Sequence, residues 1–188
     1  MYFEKGKQRA YRTAYTHLIK AASQNPKTKQ EFEANYKLAY SYMSTKRFSD
    51  ALFYFKTLIA KNHANFYSQK ASYYLGVIYL YEKLNYTEAA KYFHYALSEE
   101  YLGESAYTLL SKSYFLAGDY QKGKKYLKIV EDSRLTKDED LIRIASEAAF
   151  KAKKYEDVIL FLENNKTDFG TQMILAISYL NLKYSEKA

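Results

Sequence analysis

The stretch LGVIYLYEKLNYTEAAKYFHYA, from Leu75 to Ala96, decides the fold of this chain. Its first half places a small residue, Gly76, three positions before a tyrosine, and its second half places Ala89 four positions before the bulky Phe93. Apolar residues spaced three and four apart lie on one face of an α-helix. The stretch therefore predicts two helices of about a dozen residues each, joined by a short turn.

The same frame, a pattern of small, tyrosine and bulky residues at fixed spacings, recurs on both sides of this stretch. Its small residue returns at intervals of 37, 35, 35 and 30 residues, at Ala39, Gly76, Ser111, Ser146 and Ala176. Small residues at these positions allow two helices to cross closely, because a larger side chain would force the backbones apart. Upstream of the first complete copy, the second half of a repeat is matched by Tyr11, Ala14, Leu18, Ala21 and Pro26.

This frame of small, tyrosine and bulky positions resembles the tetratricopeptide repeat, whose period is about 34 residues. The resemblance implies an all-α fold, a right-handed α-α superhelical solenoid of antiparallel helix pairs. It divides the chain into a partial repeat at 1–26, full repeats at 32–65, 69–100, 104–136 and 139–166, and a truncated repeat at 169–188. Because the copies at both ends are incomplete, we expect the chain to be a segment of a longer array.

Local signals predict where individual repeats differ. The turn between Tyr79 and Tyr86 is one residue longer than its counterparts, and the helix from Tyr155 to Leu162 is about one turn short. Thr136 and Glu139 have the spacing of a capping box, which predicts Thr136 as the N-cap of the following helix. Gly118 predicts a left-handed turn between two helices.

Composition excludes several classes of protein. The chain has 188 residues, 48% of them hydrophobic, and it contains no cysteine, so disulfides and thiolate metal sites are excluded. No apolar run is long enough for a membrane span, and the N-terminal residues do not form a signal peptide, so the compartment stays open. The net charge is +8, but the basic residues are scattered, which favours a solvated surface over a nucleic-acid patch.

No motif predicts chemistry. His17, His63 and His94 are far apart, and none has a metal-ligand partner at helical spacing. The triplet at 168–170 matches the metal-binding motif of protein kinases, but no glycine-rich or catalytic loop accompanies it. The acidic run 138–140 is explained by a helix start, where the helix dipole favours carboxylates. We therefore predict a protein that is not an enzyme and has no metal or cofactor.

The resemblance also implies a binding site. In tetratricopeptide proteins the first helix of each repeat lines a concave groove that binds peptides, and the corresponding positions here are Tyr36, Tyr40, Tyr73, Val77, Leu80, Thr108, Lys112, Phe115, Arg143, Glu147 and Phe150. One branch of the family binds a C-terminal carboxylate there through lysine, asparagine and arginine side chains. Since only Lys112 and Arg143 are basic among these positions, that ligand is not expected.

The predicted function is a protein-interaction scaffold or adaptor that binds a peptide or helix of a partner in this tyrosine-lined groove. A composition rich in lysine, tyrosine, phenylalanine and asparagine suggests a bacterial source and a larger bacterial assembly. Single-stranded RNA binding by a pentatricopeptide-like array is the alternative, because two spacings equal 35 and the chain is basic. Self-association through the array ends is a third possibility, since the last helix is apolar at Ile174, Leu175, Ile177 and Leu180.

Overall fold

The computed structural model describes residues 13–14, 16–17, 20, 29–61, 65–97, 100–132, 138–163, 165 and 168–185. The partial repeat predicted at 1–26 falls almost entirely outside these residues, as do His63 and Thr136. All the regular secondary structure in the described residues is helical, and they contain no strand.

Nine helices follow one another from residue 29 onward in the described part of the chain. They are α1 (Lys29–Ser44), α2 (Phe48–Lys61), α3 (Phe66–Tyr81), α4 (Tyr86–Ala96), α5 (Glu100–Leu116), α6 (Tyr120–Asp132), α7 (Glu139–Lys151), α8 (Tyr155–Leu162) and α9 (Phe169–Ser185). Each odd-numbered helix packs against the even-numbered helix that follows it, and each even-numbered helix also packs against the next odd-numbered one.

The two sets of helices form two layers. Successive odd-numbered helices contact one another along the whole series, from α1 to α9, whereas the even-numbered helices make no direct backbone contacts among themselves. The odd-numbered helices therefore form the closely spaced inner layer, and the even-numbered helices form the outer layer. This arrangement is an α-α solenoid, and it confirms the predicted fold class.

Close crossings between helices depend on the small residues of the repeat frame. A β-carbon built on Gly76 would lie 2.6 to 2.8 Å from three ring atoms of Phe93, which is fully buried on α4. Ser111, also fully buried, donates a hydrogen bond from its hydroxyl to the backbone carbonyl of Gly123 on α6, at 2.8 Å. The expectation that small residues mark close helix crossings is confirmed at these two positions.

A left-handed residue occupies each turn between the first and second helix of a pair. The φ angles are 60° at Lys46, 50° at Leu84, 83° at Gly118 and 56° at Lys153. The left-handed turn predicted at Gly118 is confirmed, but the other three turns hold side chains in a conformation that favours glycine. The turn from 82 to 85 has four residues and the others have three, as predicted.

Two further local predictions have different outcomes. Helix α8 has 8 residues, whereas α2, α4 and α6 have 14, 11 and 13, so the shortened helix is confirmed. The predicted N-cap of α7 is wrong. Asp138 caps the helix, since its carboxylate accepts a hydrogen bond from the backbone N–H of Leu141 at 3.0 Å. A carboxylate next to the first turn satisfies a free N–H there and is favoured by the helix dipole.

Candidate protein-binding groove

Five tyrosines of α1 and α3 lie together on the inner layer, and we call them the tyrosine cluster: Tyr36, Tyr40, Tyr67, Tyr73 and Tyr74. The ring centroids of Tyr40 and Tyr74 are 5.2 Å apart and nearly perpendicular, so they join the two helices edge to face. Tyr36 lies 5.6 Å from Tyr67 and 6.1 Å from Tyr74, and Tyr73 lies 5.4 Å from Tyr74. These separations fall in the range favoured by aromatic pairs.

The cluster is anchored in the core and open to solvent at its surface. The buried ring of Phe55 on α2 lies 6.2 Å from Tyr36 and 6.0 Å from Tyr74, which fixes the two tyrosines from below. Tyr40 is 41% exposed, and the other cluster members are half-buried. The cluster therefore presents ordered aromatic surface, which is most exposed at Tyr40.

The inner face of α3 continues this surface along the helix. Tyr73, Val77 and Tyr81 are four residues apart and so lie on one stripe, with Val77 half-buried and Tyr81 exposed. Burial, followed by the neighbouring phenols of Tyr74 and Tyr81, raises the pKa of Tyr73. The groove prediction did not include Tyr67, Tyr74 or Tyr81. The four-residue spacing from Tyr73 could have identified Tyr81.

Charged residues replace the tyrosines farther along the inner layer. The Lys112 ammonium on α5 donates to Asp140 at 2.6 Å and lies 3.7 Å from Asp138, both at the start of α7. Arg143 donates to Asp140 at 2.6 Å and to Glu147 at 2.8 Å. The structure thus brings three predicted groove residues, Lys112, Arg143 and Glu147, into one chain of ion pairs.

These pairings shift the pKa values of the charged groups. Burial on its own lowers the pKa of Lys112, but the hydrogen bond to Asp140 and the surrounding negative charges outweigh it, so the pKa is raised. The hydrogen bond from Lys112 lowers the pKa of Asp140. Beside these groups, a cavity of about 490 Å³ lies between the start of α7, the end of α8 and the start of α9, lined in part by Arg143, Asp168 and Thr171.

Besides the paired Lys112, which is 5% exposed, three predicted groove residues are buried. Leu80 is 2% exposed, Thr108 8% and Phe115 4%, and the Phe115 ring packs against the backbone at Gly123. An odd-numbered helix packs on each side of α3 and of α5. Two even-numbered helices also pack against each of them, so a wide arc of each helix is buried. These three side chains offer little surface to a partner, whereas Phe150 on α7 is half-buried.

The last helix carries an exposed apolar stripe. Phe169, Met173 and Leu180 are more than half exposed, and Ile177 lies between them on the same face of α9. Self-association through this face stays a prediction. In the described residues, no group of three or more histidine, aspartate or glutamate side chains has an arrangement that would hold a metal ion. None of the described helices combines the length and the apolar character that a membrane span requires.

Comparison with known proteins identifies the fold. No family model matches the sequence, and no curated protein matches it significantly. A crystal structure of nearly identical TPR-like repeats, from a Podosopora anserina protein described as a kinesin light chain, is similar with a TM-score of 0.64. It is 14% identical, and the match covers 94% of this chain and 91% of that chain. A crystal structure of a point variant of the same repeats has a TM-score of 0.62 at 13% identity, over 100% and 92% of the two chains. At these identities the likeness establishes the fold alone, a TPR-like helical repeat.

Proposed function

We propose that this TPR-like solenoid is a protein-interaction scaffold that binds a peptide or helix of a partner protein within a larger assembly. The binding site is the inner groove, at the end lined by the tyrosine cluster. One observation carries the proposal: the rings of Tyr40 and Tyr74 bridge α1 and α3, and Tyr40 remains 41% exposed. Aromatic residues of this kind dominate the hot spots of protein interfaces.

The cluster is suited to binding because its rings are already ordered. Tyr36 and Tyr74 are held against each other and against Phe55, so few rotamers remain to be lost when a partner binds. Tyrosine offers a large contact area with only two side-chain torsions, and its hydroxyl supplies a hydrogen bond. Preorganised surface of this type gives more affinity for the same buried area than mobile side chains do.

The charged residues at the other end of the groove are expected to set the orientation of a bound partner and to add little to its affinity. Lys112, Asp140, Arg143 and Glu147 are already paired with one another, so a partner's charge gains little by replacing an existing pair. Asp140 and Arg143 are nevertheless partly exposed, and their fixed positions favour one orientation of a bound chain. We infer that the apolar part of the partner lies on the tyrosine cluster and that its polar part lies near α7.

RNA binding receives less support than peptide binding. Outside the cluster, tyrosines of the first and second helices stack on each other in nearly parallel pairs, with centroids 5.5 Å apart for Tyr42 and Tyr54 and 5.4 Å for Tyr79 and Tyr92. One face of each ring is therefore occupied within the protein and is closed to a base. Single-stranded RNA binders instead present open aromatic faces along a basic track.

The test uses peptides selected against the whole chain from a displayed library. Hydrogen exchange of the complex is expected to show protection in α1 and α3, and the double variant Y40A/Y73A is expected to weaken binding by about tenfold or more. Tyr95 is the matched control, because it is 46% exposed but lies on the outer layer in α4, so Y95A is expected to keep the wild-type affinity.

The controls decide between folding and binding. Circular dichroism must show the same helicity for both variants, which separates a lost contact from a lost fold. If Y40A/Y73A retains its helices and binds the peptides as tightly as the wild type, the groove is not the site. Binding of a single-stranded RNA that Y40A/Y73A abolishes, with no selectable peptide, would favour the pentatricopeptide-like alternative instead.

A further inference from the structure

A second concave surface lies on the outer layer, between α6 and α8. Its cavity has a volume of about 440 Å³. The floor is formed by Leu127 and Phe161, both buried, and the rim carries Leu160, which is 66% exposed. Gln121 and three lysines of α6 complete the lining, and the lysines are Lys124, Lys125 and Lys128. We call this surface the outer cleft, and it is separate from the groove of the tyrosine cluster.

Helix α8, on one side of the outer cleft, is shorter than α6 on the other side. Helix α8 has 8 residues and α6 has 13, which makes α8 shorter by about 7.5 Å at 1.5 Å per residue. In the repeat frame Leu162 corresponds to Leu127, so α8 ends where α6 still has about one turn to run. The last turn of α6, beginning at Lys128, therefore has no counterpart on α8, and Lys128 lines the outer cleft.

Polar contacts fix one wall of the outer cleft. Lys124 donates to both carboxylate oxygens of Asp157 on α8, at 2.6 and 2.7 Å. The hydroxyl of Tyr120, which is itself buried, also donates to Asp157. These contacts hold α6 and α8 together without closing the space between them, and they already occupy the carboxylate of Asp157.

The remaining charge of the outer cleft is positive. Lys125 and Lys128 are exposed and form no ion pair with any side chain that the structure describes. No acidic residue lines the cleft among the described residues. The surface thus combines an apolar floor with two ammonium groups along one edge, three residues and almost one helical turn apart.

We propose that the outer cleft binds an acidic amphipathic helix of a partner protein. A third helix fits the channel between two helices, where its side chains interdigitate with theirs. Apolar side chains on one face of the bound helix would contact the exposed Leu160 and enter the cavity beside it, and carboxylates one turn apart would pair with Lys125 and Lys128. The scaffold would then hold two partners at once, one on each layer.

The test uses a synthetic peptide as a defined probe. We choose a fluorescently labelled 15-residue acidic helix with leucines spaced three and four apart and glutamates on the remaining positions. The controls are a peptide of the same composition in scrambled order and a peptide with lysine in place of each glutamate. Binding is measured by fluorescence anisotropy to the whole chain at low and at moderate salt.

Substitutions at exposed positions separate binding from folding. K125E/K128E and L160N change surface side chains and are expected to preserve helicity. Each is expected to weaken the binding of the peptide by about tenfold. K83E/K183E makes the same change of net charge on exposed lysines away from the cleft, and is expected to bind like the wild type. Y40A/Y73A is also expected to leave this peptide unaffected, which keeps the test independent of the inner groove.

The outcomes divide cleanly. Binding that weakens with salt, needs the amphipathic order of the peptide and is lost in K125E/K128E and L160N supports the proposal. The proposal is overturned if the wild type does not bind the acidic peptide, if K125E/K128E binds as well as K83E/K183E does, or if the scrambled peptide binds equally. Binding of single-stranded RNA but not of the peptide at these lysines would also overturn it.

Discussion

Replacing Gly76 with alanine tests the close helix crossing on which the repeat depends. The added β-carbon would lie 2.6 to 2.8 Å from three ring atoms of Phe93, whereas carbon atoms in ordinary contact are about 3.5 to 4.0 Å apart. Because Phe93 is fully buried on α4, its ring cannot retreat by about 1 Å without displacing its neighbours, including Tyr73 at 5.9 Å.

The expected magnitude is the difference between two effects. Overpacking a buried site costs about 1 to 3 kcal/mol, and three contacts this short place G76A in the upper half of that range, at about 2 to 3 kcal/mol, whereas replacing glycine by alanine within a helix returns about 1 kcal/mol. We therefore expect G76A to lower the free energy of unfolding by about 1 to 2 kcal/mol, measured by urea denaturation followed by circular dichroism. In an F93L background, the same substitution should lower the free energy of unfolding by less, since leucine leaves more room for the new methyl group.

The control is Gly170, in the first turn of α9. A β-carbon there meets only the Asp168 carboxylate, at 3.4 Å, and the position is exposed, so G170A is expected to leave stability unchanged or to raise it slightly. A G76A protein as stable as the wild type would refute the reasoning, because it would mean that α3 and α4 do not cross as closely as the structure shows.

Three further results are expected. L84G should raise the free energy of unfolding by about 0.5 to 1 kcal/mol in the same urea assay, because Leu84 is exposed and has a φ of 50°, and G118A, at a φ of 83°, should lower it by a similar amount. Asp140 and Asp157 have lowered pKa values in the folded chain, so the stability they supply is present above their ordinary pKa of 3.8 and is lost as the pH falls through the lower folded values. D157N should accordingly be less stable than the wild type at pH 7, and urea titrations should show the difference narrowing below about pH 4. K56A should lower the free energy of unfolding slightly, by less than about 1 kcal/mol, because the Lys56 ammonium on α2 lies 5.4 Å from the ring centroid of Tyr79 in the next helix pair.

The sequence was sufficient to predict the helix pairs and their turns, since both depend on local patterns. Small residues at a regular interval indicate close crossings, and a missing turn of apolar spacing indicates a short helix such as α8. The left-handed residues Lys46, Leu84 and Lys153 escaped prediction because neither lysine nor leucine marks that conformation. The N-cap Asp138 was not predicted, because Thr136, two residues earlier, can also accept a hydrogen bond from a free backbone N–H at a helix start.

The candidate site was harder to predict because it depends on contacts between repeats. Helical spacing places Leu80 and Phe115 toward the groove, but helices on both sides of α3 and α5 bury these positions. Lys112 and Asp140 are 28 residues apart, and no local pattern predicts that they pair. The outer cleft likewise combines residues of α6 and α8, which form one surface only when the two helices lie side by side.

The most direct measurement of the groove proposal places a photo-crosslinking phenylalanine derivative at Tyr40 or, as the control, at Tyr95. Both side chains are close to half exposed, but Tyr40 belongs to the tyrosine cluster on the inner layer and Tyr95 lies on the outer layer. After illumination with a selected peptide bound, we expect a covalent adduct from position 40 and none from position 95. Adducts from position 95 alone would place the partner on the outer layer and contradict the groove as the principal binding site.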